Sequence, residues 1–231
     1  MMKPIKMIVT DLDGTLLRED KTVSERNRLA LLRCRELGIK VFFATGRSYR
    51  TKVVPQDWFD GYVRSNGAYA YAGETVVYRR TFSDETMRYI LDVCNQRCIT
   101  TKPRLDEQIH LPDIKPIDAE YVNSKLPADL YLIVLKEGFG QIMHKEATKV
   151  KAIEALARYW GINKTEIVAF GDDLNDIDML SWAGNGVAMG NALDEAITAA
   201  DEICLNNEED GIAVWIEQNV FSSLQDVVSS S

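Results

Sequence analysis

Residues Ile5–Thr10 read IKMIVT and run directly into Asp11-Leu12-Asp13-Gly14-Thr15. A short, continuous apolar run of this kind is typical of a strand buried in a parallel sheet. Two carboxylates held close together after such a strand repel each other, and one takes up a proton unless a cation is present. Mg²⁺ prefers oxygen ligands and commonly combines one or two carboxylates with phosphate oxygens. The stretch therefore predicts a buried strand that ends at a magnesium site.

Two further apolar runs end in polar clusters that suit the same site. Ile39–Ala44 leads into Thr45-Gly46-Arg47, and Ile167–Phe170 leads into GDDLND at 171–176. Open α/β sheets bind ligands just beyond the carboxyl ends of their strands, so we expect the three clusters to form one site. An isolated Asp-x-Asp-Gly is more often a turn or a helix cap, but the second acidic cluster weakens that alternative. The pattern favours an enzyme.

Strand and helix signals alternate through most of the chain. Ser24 is expected to cap a helix that ends near Leu37, before the strand at 39–44 and a helical stretch from Ser48. Residues 68–79 predict a β-hairpin around Gly73-Glu74. Later elements are expected as helices at 149–160, 175–183, 192–200 and 211–219 and a strand at 186–189. This order predicts an α/β fold with a Rossmann-like, three-layer core built on a parallel sheet.

Residues 82–146 differ in character from the rest of the chain. A helix is expected at 84–96, followed by a stretch that holds four of the six prolines, and then by strands at 130–135 and 141–144. We interpret 82–146 as a small α+β domain inserted into the core. The predicted core then comprises 1–81 and 147–231.

Composition argues against several classes of protein. The 231 residues carry a formal net charge of −8, whereas a general nucleic-acid binder presents a basic face. No apolar stretch approaches the roughly 18–20 residues that cross a bilayer, and the first residues show no signal-peptide pattern. The four cysteines lack CxxC spacing, so we expect neither disulfides nor a zinc site. These features favour a cytoplasmic protein without nucleic-acid or membrane partners.

The polar clusters resemble motifs of the haloacid dehalogenase superfamily. The first motif, Asp11-Leu12-Asp13-Gly14-Thr15, is highly specific, and Thr45-Gly46-Arg47 and the cluster at 171–176 match two others. The single insertion after the hairpin resembles the cap domain of the Cof-like phosphatase branch, which carries a type IIB cap. Two short stretches are also similar to that branch, namely Asn66-Gly67-Ala68 and Val187-Ala188-Met189-Gly190-Asn191-Ala192.

The resemblance implies a role for each residue of the site. Asp11 would be the nucleophile, and Asp13 would be the general acid that later activates water. Mg²⁺ would be held by Asp11, the backbone carbonyl of Asp13 and Asp172. Phosphate binding would fall to Leu12, Thr45, Gly46, Lys149 and Asn175. Asp173 and Asp176 would support the ligands from behind, and Arg47 and Asn66 are candidate substrate contacts.

Three lysines are candidates for the lysine of the site: Lys145, Lys149 and Lys151. The Cof-like pattern has a lysine at the start of the helix after the cap, which favours Lys149. At about 100° per residue, Lys149 projects near the centre of the apolar face that is formed by Ile153, Leu156, Ala157 and Trp160. Lys151 projects to the opposite, solvated face. A buried lysine needs an anionic partner, such as phosphate with Asp11; the alternative is a stem lying along apolar surface with its amine in water.

These expectations describe a Mg²⁺-dependent phosphomonoester hydrolase that forms an aspartyl-phosphate. Its partner would be a small phosphorylated metabolite such as a sugar phosphate, and the chain would be a monomer or a weak homodimer. A phosphosugar mutase shares the chemistry and is the main alternative, but it needs a cap that excludes water. A non-catalytic phosphate-binding module is the other alternative, which a turnover assay would separate from the enzymes.

Overall fold

The structure is a computed structural model that describes residues 4–48, 53–134 and 138–222. The strands, in chain order, are β1 (Met7–Thr10), β2 (Lys40–Ala44), β3 (Gly61–Arg64), β4 (Tyr69–Ala72), β5 (Thr75–Arg79), β6 (Lys102–Arg104), β7 (Gln108–Leu111), β8 (Leu130–Val134), β9 (Gly140–His144), β10 (Ile167–Gly171), β11 (Asn185–Ala188) and β12 (Glu202–Ile203). The helices are α1 (Glu25–Glu36), α2 (Asp84–Asn95), α3 (Pro116–Lys125), α4 (Lys149–Trp160), α5 (Ile177–Trp182), α6 (Asp194–Ala199) and α7 (Gly211–Ile216).

The larger sheet places the three predicted motif strands side by side. Its eight strands run in the order β12-β11-β10-β1-β2-β3-β4-β5. Strands β12 to β3 are parallel to their neighbours, and β4 and β5 are antiparallel. In this register Thr10, the last residue of β1, lies opposite Phe170 and Phe43. The polar clusters after β1, β2 and β10 therefore meet at one edge of the sheet.

Helices cover both faces of this sheet. The first three residues of β1 are apolar, but their side chains alternate between the two faces. Ile8 packs with α1 and α7 on one face, and Met7 and Val9 pack with α4, α5 and α6 on the other. Burial on both faces explains why the strand reads as a continuous apolar run. The predicted three-layer α/β core is confirmed.

A second sheet of four strands, in the order β6-β7-β9-β8, is inserted between β5 and α4. It packs with α2 and α3 around an apolar cluster of its own, which includes Ile90, Ile109, Val122 and Ile142. This arrangement confirms the inserted α+β domain, hereafter the cap. The exact bounds of the cap, 82 and 146, stay a prediction.

The predicted elements agree with the structure where local signals are strong. Ser24 caps α1 by accepting a hydrogen bond from the Asn27 amide, and β4 and β5 form the hairpin. The helix expected at 175–183 begins as a 3₁₀ turn, Leu174–Asp176, before α5. The helical stretch expected from Ser48 runs into 49–52, which lie outside the described residues.

Sequence reasoning missed β6, β7, β12 and α3. Helix α3 has little apolar periodicity: Val122 is its fully buried side chain, and Ile117 is 65% exposed. Strand β6 has three residues, one of them Pro103. Such short elements carry too little pattern to be recognised, and neighbouring strands supply their stability.

Within the described ranges, no helix combines the length and hydropathy needed to cross a bilayer.

A buried ion pair joins the cap to the core. Glu107, in the turn between β6 and β7, is fully buried, and its carboxylate lies 2.7 Å from Arg64 Nη2 at the end of β3. The Ser65 hydroxyl donates a hydrogen bond to the other carboxylate oxygen of Glu107. Burial raises the pKa of Glu107, an effect that Ser65 and Arg64 oppose. The contact fixes the cap beside the turn that carries Asn66.

We predict that Arg64→Met destabilises the protein by about 3–5 kcal/mol, because it leaves the Glu107 carboxylate buried without a counter-charge. The matched control is Arg80→Met, whose side chain is 42% exposed and lies 4.0 Å from Glu146. Losing that exposed pair should cost at most about 1 kcal/mol. The measurement is urea unfolding of each variant.

The sign of the pH dependence follows from Glu107. Its folded-state pKa lies above the ordinary value of 4.5, so the folded state binds a proton more readily than the unfolded state. Stability contributed by protonated Glu107 is lost as the pH rises through the folded pKa. Arg64→Met removes a charge that opposes this rise in pKa, so Glu107 should take up a proton more readily in the variant. The stability of the variant should therefore be closer to that of wild type at pH 5 than at pH 8. Equal losses of stability at the two pH values would contradict the buried Arg64–Glu107 pair.

Candidate active site

The loop after β1 is packed directly against the loop after β10. Gly14 has φ +84°, and a Cβ at this position would collide with the Asp172 carboxylate. Thr15 donates a hydrogen bond from Oγ1 to Asp172 Oδ1 at 2.6 Å. Glycine is therefore required at 14 both for the backbone turn and for the close approach of Asp172. The sequence pattern DxDGT brings two distant acidic clusters into contact.

Three carboxylates lie together at this edge of the sheet. Oxygen atoms of Asp11, Asp172 and Asp176 are all within 4.8 Å of one another. Asp176 is already engaged, because Oδ1 accepts from Lys149 and Oδ2 accepts from the amides of Asp172 and Asp173, both at 3.1 Å. Asp11 and Asp172 are the members of the cluster that retain free oxygen ligands for a cation.

Burial disfavours the ionised forms of Asp11 and Asp172. Desolvation raises the pKa of Asp172 to about 6, with Thr15 opposing the shift. Desolvation also raises the pKa of Asp11, against the attraction of Lys149 and with the help of Asp176. A divalent cation would favour the ionised form of both groups, since a nearby positive charge lowers a carboxyl pKa. The donor set, all oxygen and mostly carboxylate, suits Mg²⁺.

Lys149 lies at the centre of the site, at the start of α4. Its Nζ is 2.5 Å from Asp11 Oδ1 and 2.6 Å from Asp176 Oδ1, and its side chain is fully buried. Burial alone would lower the pKa of Lys149, but Asp11 and Asp176 outweigh it and the pKa is raised. Lys151 is exposed and pairs with Glu154 at 3.7 Å. The helix thus turns one lysine into the site and the other into solvent.

Asp13 is held by two cations. Arg47 donates from Nε and Nη2 to the two oxygens of Asp13 at 2.7 and 2.6 Å, and Lys21 Nζ lies 3.2 Å from Oδ1. The hydrogen bonds from Arg47 are the main reason that the Asp13 pKa is lowered. Sequence reasoning placed Arg47 near substrate but missed Lys21, which carries no recognisable motif.

The remaining predicted residues lie around the same cavity, with one exception. Thr45 is buried and its hydroxyl accepts from the Arg47 amide at 3.2 Å. Asn175 donates to the side chain of Asn66 at 3.0 Å, and a Cβ at Gly46 would crowd Asn66. Asp173 lines the cavity and caps the turn that begins at Leu174. Leu12 differs, because its side chain is fully buried in the core. Only the main chain of Leu12 is therefore available to bind phosphate.

Two asparagines that sequence reasoning gave no role support the loop after β1. Asn191 donates from Nδ2 to the Gly14 carbonyl at 2.8 Å and accepts from the Asn207 amide at 3.0 Å. Asn207 in turn donates to the Leu17 carbonyl at 2.9 Å. Asn191 belongs to a motif already singled out, but nothing in the sequence around Asn207 indicated this contact.

The cavity has a volume of about 610 Å³ and is lined by residues of both the core and the cap, and its volume is within the range of about 300–1,000 Å³ typical of small-molecule sites. The core supplies the carboxylates, Thr45, Gly46, Arg47 and Lys149. The cap supplies Tyr131, Ile133, Gln141 and Met143. The cap residues belong to no recognisable motif, so the sequence did not indicate that they face the site.

A family model described as haloacid dehalogenase-like hydrolase matches residues 8–114 and 110–216, which together span most of the chain. The chain belongs to this family. This match confirms the family resemblance that the sequence motifs predict, and it confirms that the protein is an enzyme. The match covers both halves of the core and the cap.

Two curated relatives of this chain are named phosphatases. The 5-amino-6-(5-phospho-D-ribitylamino)uracil phosphatase YitU of Bacillus subtilis is 26% identical, over 92% of this chain and 96% of its own length. Phosphatase YwpJ of the same organism is 27% identical, over 90% of this chain and 98% of its own length. Both alignments extend over nearly the full length of the relative.

Solved structures of the family share the fold. A haloacid dehalogenase-like hydrolase from Bacteroides thetaiotaomicron superposes with a TM-score of 0.80 and 24% identity, covering 93% of this chain and 99% of its own. A sugar phosphatase described as HAD subclass IIB has a TM-score of 0.77 and 25% identity, with coverage of 92% and 98%. These superpositions show that the chain has the fold of these structures.

We predict that Lys149→Ala lowers turnover of an aryl phosphate by about 10²–10³-fold, the usual cost of removing a buried electrostatic contact at a reacting centre. The matched control is Lys151→Ala, two residues along the same helix, which should stay close to wild type. Steady-state kinetics and thermal unfolding should be measured on both variants. A larger loss of turnover in Lys151→Ala than in Lys149→Ala would contradict the assignment.

Proposed function

We propose that the protein is a Mg²⁺-dependent phosphomonoester hydrolase that acts on small phosphorylated metabolites, such as sugar phosphates, through an aspartyl-phosphate. The observation that carries the proposal is the buried contact of Lys149 with Asp11 and Asp176, beside Asp172. A carboxylate that faces both a fixed ammonium and an oxygen-rich cation site is suited to attack phosphorus.

The metal would be held by Asp11, Asp172 and the backbone carbonyl of Asp13. When bound there, Mg²⁺ neutralises charge on the phosphoryl oxygens and keeps the ligating carboxylates ionised. The oxygens of Asp176 are engaged by Lys149 and by two backbone amides. Asp176 therefore orients the lysine and the loop rather than the cation.

Asp11 would be the nucleophile that attacks phosphorus and carries the phosphoryl group. Lys149 would keep the Asp11 carboxylate oriented and would offset the negative charge of the entering phosphate. The Thr45 hydroxyl, the main chain at Leu12 and Gly46, and the amide of Asn175 would hydrogen-bond the phosphoryl oxygens. Most of these groups sit on loops that directly follow strands, so the sheet fixes their spacing.

Asp13 would protonate the leaving oxygen and then activate water. Its pairing with Arg47 and Lys21 lowers its pKa, and a carboxylate so paired does not hold a proton at neutral pH. Arg47 must therefore loosen its contact with Asp13 as substrate enters, and the incoming phosphate is the natural competing anion. Arg47 would then contact substrate, as the sequence predicts.

The cap, proposed at 82–146, would cover the substrate while the core does the chemistry. YitU and the subclass IIB sugar phosphatase are named for phosphorylated ribityl and sugar compounds, which supports a small polyhydroxylated substrate here. Phosphosugar mutase activity is disfavoured because the relatives carry phosphatase names. A cytoplasmic location and a monomeric or weakly dimeric state remain predictions from the sequence.

Hydrolysis of 4-nitrophenyl phosphate should require Mg²⁺ and should vanish in Asp11→Asn, since a carboxamide is a poor nucleophile and a weaker metal ligand. Chelation should abolish turnover reversibly. Mg²⁺ affinity should fall as the pH drops below about 6, because Asp172 then takes up the proton that competes with the metal. Undiminished turnover by folded Asp11→Asn would refute the mechanism.

Asp13→Asn should lose more activity on an alkyl phosphate than on 4-nitrophenyl phosphate. The alkoxide needs a proton as it leaves, whereas the nitrophenolate does not, and general acid catalysis is worth about 10²–10⁴-fold. Pre-steady-state bursts show whether dephosphorylation limits either rate. If burst-phase rates fall equally for the two substrates, Asp13 is not the acid.

A further inference from the structure

The cavity extends beyond the reacting carboxylates to a roof that the cap supplies. Antiparallel pairing of β8 with β9 sets Tyr131 opposite Met143 and Ile133 opposite Gln141. All four side chains line the cavity, and they share one face of the sheet because side chains alternate along a strand. Three of them offer aromatic or apolar surface, and Gln141 offers an uncharged amide. The roof therefore presents no charge to a leaving group.

The opposite wall comes from the core, at the start of α5. It includes Leu174, Ile177 and the exposed carboxylate of Asp178. Asp178 lies close enough to Tyr131 that its charge adds to the rise in the Tyr131 pKa that burial causes. Tyr131 and Asp178 thus flank the same part of the cavity, one from the cap and one from the core.

The polar ends of Tyr131, Gln141 and Asp178 are available to a ligand. Within the ranges that the structure describes, no side-chain hydrogen bond or ion pair engages any of the three. A carboxylate only accepts hydrogen bonds, whereas a phenol and an amide both donate and accept. This set matches a leaving group that carries several donors, such as hydroxyl, amine or ring N–H groups.

The cations of the cavity are committed to the reacting centre. Lys149 contacts Asp11 and Asp176, and Arg47 contacts Asp13. Among the described residues that line the cavity there is no third lysine or arginine, and the lining also includes the carboxylates of Asp173 and Asp178. A second anionic group on the leaving group would meet these carboxylates without a counter-charge, and like charges placed together weaken binding.

We infer that the cavity selects phosphomonoesters whose leaving group is neutral or cationic and combines an apolar face with hydrogen-bond donors. Tyr131 provides the surface on which the apolar face packs, and Asp178 disfavours a second anion. The inference rests on the proposed phosphatase function and narrows its substrate class. Phosphates of sugars and polyols bind well, whereas bisphosphates and phosphorylated sugar acids bind weakly.

The test compares glucitol 6-phosphate with 6-phosphogluconate, which differ only in a terminal hydroxymethyl group or carboxylate. Each is measured as a competitive inhibitor of 4-nitrophenyl phosphate hydrolysis by the Mg²⁺-loaded protein, so neither needs to be turned over. We expect the inhibition constant of 6-phosphogluconate to be at least about tenfold higher, the effect of a like charge a few ångströms away in a partly screened site. The difference should shrink at high salt.

Asp178→Asn should bring the two inhibition constants to within about twofold by improving binding of 6-phosphogluconate, since the amide has a similar shape and no charge. The matched control is Asp194→Asn, an exposed first-turn carboxylate on α6 outside the cavity. It should leave the ratio unchanged. Inorganic phosphate, which reaches only the reacting centre, should bind both variants like wild type and so reports any distortion of that centre.

Tyr131→Leu should weaken both inhibitors by about five- to tenfold while leaving their ratio and phosphate binding unchanged, because it removes aromatic packing but no charge. Its control is Tyr159→Leu, a 54% exposed tyrosine on α4.

Equal inhibition constants in the wild type, failure of both compounds to compete, or an unchanged ratio in Asp178→Asn would each overturn the inference. These outcomes leave the proposed function standing as long as 4-nitrophenyl phosphate is hydrolysed. Absence of that hydrolysis by the folded, Mg²⁺-loaded protein would instead remove the proposed function itself.

Discussion

The contact of Lys149 with Asp11 and Asp176 is the interaction on which the site depends. A lysine and two carboxylates buried together are costly to desolvate, and removing any one would leave an uncompensated charge. The cluster joins the first residue of α4 to Asp11, directly after β1, and to Asp176, in the turn before α5. These elements are far apart in the sequence, so the same contact that orients Asp11 also holds together the two halves of the core on either side of the inserted cap.

Asp13 and Asp172 are two further carboxylates near this cluster, and their different surroundings shift their pKa values in opposite directions. Asp13 is ionised by Arg47 and Lys21, whereas burial pushes the pKa of Asp172 to about 6. Two carboxylates in one cavity are thus placed in opposite environments. In the proposed mechanism, the phosphate must therefore draw Arg47 away from Asp13 before Asp13 can carry a proton, and a cation must keep Asp172 ionised.

The cap adds a second level of organisation. The buried pair of Glu107 and Arg64 fixes its turn against the core, while the opposite part of the cap, with Tyr131, forms the cavity roof. In the proposed function, the core would bind the metal and the phosphate that every substrate shares, and the cap with Asp178 would contact the leaving group, which differs among substrates. This division would allow one core chemistry to serve different leaving groups.

The sequence by itself determined the α/β class, the three motif strands, the inserted domain and the family, because short local patterns of residues encode these features. Strand β1 is buried on both faces and reads as an unbroken apolar run, and the DxDGT loop follows it directly. Helical periodicity was also enough to favour Lys149 over Lys151, since the apolar face of α4 is local information.

Only the tertiary structure decided which groups meet across the cavity. Tyr131 and Gln141 look like ordinary strand residues, and Lys21 and Asn207 belong to no motif. Their contacts depend on how the cap is oriented over the core and on loops brought together by the sheet, and both arise from long-range packing. Local patterns encode which face of an element is buried, but they do not encode which distant side chain lies on the other side of the cavity.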